Sequence, residues 1–212
     1  MSWGTRVAVL IVVAGTFATA GCSPAVPSAT PPPASASPVA SATVASPRST
    51  TAASPPAAAA VVVDATLLGV LPAEIDGRAL IRDTETAAEI VAGGGLPAEV
   101  DVLAVGVYVG AGSSTSDDLA IANVVRLRPG VFSDGWFRSW RDTYNVGACE
   151  VAGGVSAGST DAEIDGRPVY IGTCQAGVHL YHVHLPDPDR VISITSLGDA
   201  RYGERVVAGL TE

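Results

Sequence analysis

The chain has 212 residues, with 12 basic side chains against 21 acids and a formal net charge of −9. Every basic residue is Arg and every acid lies at or beyond Asp64. Only Arg6 and Arg48 precede that point, so the remainder sets ten Arg against 21 acids, a net charge of −11. An acidic domain without a basic run argues against nucleic acid as a partner and against electrostatic docking on anionic lipid.

The first 21 residues have the layout of a secretory signal: Arg6, then the apolar run Val7–Ala14, then small residues ending at Gly21. The run falls short of the ~20 apolar residues that a membrane-spanning helix needs. Thr19-Ala20-Gly21-Cys22 resembles the lipobox of bacterial lipoproteins, although Ala18-Thr19-Ala20 also fits an ordinary A-x-A cleavage site. The resemblance covers residues 1–22 only. It implies export, attachment to the outer face of the cell membrane through lipid on Cys22, and commonly a further acyl chain such as palmitate. Two chains anchor durably where one binds only marginally.

Residues 22–60 follow as a linker of Pro, Ala, Ser, Thr and Val that contains nine of the 15 prolines and no acid. Without bulky apolar side chains to offset chain entropy, such a tract is expected to be disordered with polyproline II character. Fully extended it spans on the order of 110 Å at about 3.1 Å per residue. The remaining residues, 61–212, are of a size that buries a real core.

Lipidation of Cys22 accounts for the odd one of three cysteines. The other two, Cys149 and Cys174, then form a disulfide suited to an oxidising compartment. No Cys-x-x-Cys points to redox chemistry.

Within the domain, Asp64–Leu71 reads as a short helix stopped by Pro72. The word Glu-Ile-Asp-Gly-Arg occurs at 74–78 and again at 163–167. Asp-Gly between short apolar runs predicts a tight hairpin in both places, and either a duplicated half-domain or reuse of a good turn explains the repeat. Glu85–Val91 is weakly helical, Val102–Val109 and Leu119–Leu127 are apolar strands that pair antiparallel, and Gly112–Asp118 is a polar loop. Ser133–Asn145 is the clearest helix, capped by Ser133 or Asp134 and ending near Gly147. Its aromatics Trp136, Phe137, Trp140 and Tyr144 share one face, which is expected to cover the sheet.

Strands are expected at 149–152, 163–164, 169–174, 178–185 and 190–196, followed by a helix over 200–208. The pattern gives an α+β fold: a single domain with a largely antiparallel sheet, covered on one face by the aromatic-rich helix.

Chemistry is sparse. Gly154-Val155-Ser156-Ala157-Gly158 matches the G-x-S-x-G pattern of serine hydrolases, but a nucleophile elbow needs a strand before the serine and a helix after it. A hairpin follows instead, so a plain loop is expected. His179, His182 and His184 lie in one predicted strand, with His182 and His184 on the same face. Two imidazoles leave a zinc or copper site unfinished unless a turn brings round Asp187 or Asp189, and solvent-facing positions are expected for them. Asp117-Asp118 and Asp187-Pro188-Asp189 lack the calcium-loop pattern. No cofactor is expected. The sequence leads to a noncatalytic, membrane-anchored extracytoplasmic domain that binds a protein or a small ligand, with a serine hydrolase using Ser156 or a metal-binding lipoprotein using His182 and His184 as the alternatives.

Overall fold

A computed structural model describes residues 60–110, 118–175 and 177–211. The signal segment, Cys22 and most of the linker lie outside the described residues, as do Asp117 and nearly all of the Gly112–Asp118 loop.

The chain begins with β1 (Val62–Val63) and a 3₁₀ helix, Ala65–Val70, whose Asp64 cap accepts from the Thr66 N–H. A small hairpin follows, β2 (Glu74–Ile75) and β3 (Arg78–Ala79), then β4 (Ile81–Arg82) and α1 (Thr84–Ala92). Two long strands, β5 (Val100–Val109) and β6 (Leu119–Leu127), lead to α2 (Asp134–Val151). The chain closes with β7 (Ser156–Ile164), β8 (Arg167–Cys174), β9 (His179–Pro186), β10 (Asp189–Leu197) and α3 (Tyr202–Ala208).

Eight strands form one sheet in the order β1-β5-β6-β10-β9-β8-β7, with β4 also on β5. Only β1 runs parallel to its neighbour; the other pairs are antiparallel. Both Asp-Gly words make the hairpins their chemistry requires, with φ of 47° and 74° at Asp76-Gly77 and 51° and 74° at Asp165-Gly166. They sit in different sheets, one between two-residue strands and one between the long strands β7 and β8.

Helices cover both faces of the sheet, not one. On the first face Ala104, Tyr108, Val124, Tyr181 and Ile194 pack with Leu67 and Leu68 of the 3₁₀ helix and Val206 and Val207 of α3. On the second face Leu103, Val105, Val125, Leu180 and Val191 pack beneath Ala87 of α1 and Trp140, Tyr144 and Ala148 of α2. Burial from both sides explains why β6 reads as a nearly continuous apolar run instead of an alternation.

Helix α2 also runs past the expected stop and takes in residues 149–151, where a strand was expected. Trp140, Tyr144 and Ala148 recur every four residues and keep the buried stripe going beyond Gly147, whose side is open. Termination comes at Gly153, φ 78°. There the Gly154 N–H bonds to the Cys149 carbonyl at 2.9 Å and the Gly153 N–H to the Glu150 carbonyl at 3.0 Å, a Schellman ending. The Cys149–Cys174 disulfide ties this last stretch to β8 across a Cα–Cα distance of 5.3 Å.

Candidate functional site

The polar chemistry of the domain is concentrated in one row across the sheet. Strand register aligns Val105, Asn123, Ser193, His182, Tyr170 and Asp161 on successive strands β5, β6, β10, β9, β8 and β7. Side chains at cross-strand positions share a face, and this face is the one beneath α2. The helix sets Trp140, Arg141, Tyr144 and Asn145 over the row, residues whose spacing places them on one side of a helix.

His182 lies at the centre and is completely buried. Its Nε2 is 2.9 Å from Asn145 Oδ1 and its Nδ1 is 2.9 Å from Ser193 Oγ. An amide oxygen only accepts, so Nε2 carries the proton, and in the neutral ring Nδ1 accepts from the Ser193 hydroxyl. Ser193 Oγ in turn accepts from Trp140 Nε1–H at 2.9 Å. With the imidazole neutral, the chain Trp140 to Ser193 to His182 to Asn145 has one direction. Burial, with a smaller contribution from the nearby Arg141 charge, pushes the His182 pKa down from 6.5 to about 3.

A second set adjoins it. The Tyr144 hydroxyl accepts from Asn123 Nδ2 at 2.8 Å and lies 3.1 Å from Thr195 Oγ1, while the tyrosine ring meets His182 edge-on at 5.3 Å. Burial raises the Tyr144 pKa, partly opposed by its bonds to Thr195 and Asn123. Toward the free edge the Arg141 guanidinium stacks 3.6 Å over the Tyr170 ring and reaches 3.8 Å from Asp161. Gly172 leaves the room that Asn145 occupies: a Cβ there would lie 2.7 Å from Asn145 Nδ2.

Ser193, His182 and Asn145 are the residue types of a nucleophilic triad, but Ser193 and His182 are fully buried and the serine hydroxyl already accepts from Trp140. A nucleophile must reach a substrate carbonyl. The geometry instead keys α2 to the sheet at a single register. Ser156, the serine of the G-x-S-x-G match, is exposed at the start of β7 opposite Cys174. The order here is helix, turn, strand, the reverse of a nucleophile elbow.

The expectation of solvent-facing histidines fails at His182 because β9 is an interior strand covered on both faces. His184 shares its face, stacks on Phe132 with ring centroids 3.5 Å apart, and lies 3.2 Å from Asp189 Oδ1. The turn does bring Asp189 round to His184. Both His182 nitrogens are engaged elsewhere, and no group of three or more His, Cys, Asp or Glu side chains is placed to hold a metal among the described residues. The Asp118 carboxylate accepts from the Ala200 N–H at 3.0 Å, and the Asp187 carbonyl accepts from Arg190 at 3.0 Å.

The residues that the sequence reading missed, Asn123, Asn145, Ser193 and Thr195, carry a faint signal. Ser193 and Thr195 alternate with Ile192 and Ile194, a polar stripe of period two inside an apolar strand. No family model matches the chain, and no curated protein or solved structure shows significant similarity to it.

Proposed function

We propose that this protein is a lipid-anchored extracytoplasmic lipoprotein whose folded domain binds a protein or small-molecule ligand and performs no catalysis. The supporting observation is the Cys149–Cys174 disulfide, sealed in the second core. Such bonds persist in oxidising compartments and are rare in the cytosol. Thr19-Ala20-Gly21-Cys22 supplies the matching address, with Cys22 as the lipid attachment point and the Pro-rich linker as its tether. The burial of His182 and Ser193 and the exposed position of Ser156 at the start of β7 count against the serine-hydrolase alternative.

Labelled palmitate fed to cells making the wild-type chain and a Cys22→Ser variant tests the anchor. Label in the membrane fraction for wild type alone is the expected result. A wild-type chain that takes up no label and appears in the medium would refute the anchoring.

A further inference from the structure

We infer that the free edge of β7 is a docking site for an extended basic peptide segment of a partner protein, which adds to the sheet as a ninth strand. The inference deepens the binding role proposed above and rests on it.

Strand β7 ends the sheet, and among the described residues nothing pairs with its outer side. It is nine residues long, and seven of them are exposed, Ser156–Asp161 and Glu163. The chain joins the sheet at β1, so β7 is the edge furthest from that attachment.

The β7–β8 hairpin fixes which backbone groups face outward. A two-residue Asp165-Gly166 turn makes Ile164 and Arg167 a hydrogen-bonded pair, and bonded and non-bonded pairs alternate along an antiparallel ladder. Glu163 then opposes Pro168 at a non-bonded position, where the missing proline N–H costs nothing. Asp161 opposite Tyr170 and Ser159 opposite Gly172 are non-bonded in the same way. The N–H and C=O groups of Ser159, Asp161 and Glu163 therefore point away from the sheet.

The side chains of those same three residues lie on the α2 face, because Asp161 continues the Tyr170–His182 row. A strand added antiparallel places one residue directly opposite Asp161 and another, two positions earlier, directly opposite Glu163. Opposite charge at directly facing positions favours pairing and like charge opposes it. The edge thus selects a basic-x-basic pattern. The Arg141–Asp161 pair does not satisfy it, since the Asp161 side chain is 89% exposed and the contact spans 3.8 Å.

A second copy is a poor occupant. Any antiparallel β7–β7 pairing with these bonding positions gathers Asp161 and Glu163 from both copies on one face. The acids guard the edge against self-association and leave it open to a cationic segment that docks by strand addition.

The test uses the full-length chain purified in detergent and a fluorescent peptide, Thr-Lys-Val-Lys-Val-Lys-Thr, read by anisotropy at low ionic strength. Saturable binding is expected, with at least tenfold weaker affinity when the lysine amides are N-methylated and no binding when Glu replaces Lys. The Asp161→Lys/Glu163→Lys double variant, with both changes at exposed positions, should lose the Lys peptide and accept the Glu peptide. Absence of wild-type binding, equal affinity for the N-methylated peptide, or an unchanged double variant would overturn the proposal. So would a concentration-dependent dimer in sedimentation that the double variant alters. Lipid on Cys22 is measured separately by mass on the same sample, so a failure here and a failure of the anchor are read apart.

Discussion

Acidification should weaken this domain through His182, and a Gln at that position should remove the effect. In the unfolded chain the imidazole binds a proton near 6.5; folded, it does so only near about 3. The unfolded state therefore holds more protons throughout that window, so stability rises with pH there. The contribution is complete above pH 6.5 and is lost as pH falls toward 3. Over the whole interval it amounts to about 5 kcal/mol, and between pH 7 and pH 4 to about 3 kcal/mol, at 1.36 kcal/mol per unit. Urea unfolding of the disulfide-intact protein at pH 7, 6, 5 and 4 measures it, with His182→Gln as reference. Gln keeps a donor and an acceptor for Asn145 and Ser193 but does not titrate. Carboxylates contribute alike to both proteins and cancel in the difference. The wild type should lose stability faster than the variant by about 1.4 kcal/mol per pH unit below pH 6. Parallel pH profiles would refute the burial argument, since a water-accessible imidazole would protonate in both states alike.

The other two expectations concern how α2 is held. Replacing both Cys149 and Cys174 by Ser opens a loop of sequence separation 25 and should cost about 3 kcal/mol in the chain-entropy account. Thermal melts with and without reductant check this, and an unchanged midpoint would contradict it. Gly172→Ala should destabilise by about 1–3 kcal/mol because the new methyl displaces the Asn145 amide from His182. The penalty should shrink in an Asn145→Ala background, and a fully additive double-mutant cycle would show that the two sites do not meet.

How much of this was legible beforehand varied with how local the cause was. Both Asp-Gly hairpins, the Ser133 cap and the strands β5 and β6 follow from side chains within a few residues of the feature they set. Strand β7 did not, because Ser-Ala-Gly-Ser-Thr-Asp reads as loop; it is a strand only because β8 supplies a ladder along its length. Helix α2 continues through Gly147, where the sequence points to an end, since a lone glycine costs only about 1 kcal/mol in a helix and Ala148 and Cys149 beyond it are packed in the second core. The burial of His182 was hidden for a different reason. A polar side chain looks solvated until its partners are known, and Asn145 lies 37 residues away. The layers on both faces were implied by the apolar run of β6, a cue that carries weight only once helices are counted against both sides.

The attachment of the domain to whatever precedes it has a mechanical consequence. The leading strand β1 is two residues long, matched only to Val102 and Leu103, and its continuation adds the single bond from the Asp64 N–H to the Leu103 carbonyl. A pull on the chain ahead of Ala60 loads that short contact first. Once Val61 and Val63 leave the second core the strand peels away like a fuse, until the load meets the 3₁₀ helix, where Leu67 and Leu68 are locked into the first core. Because Val61 and Val63 also rest on the second core, the one that holds the Cys149–Cys174 disulfide, the same pull is felt on that face as well.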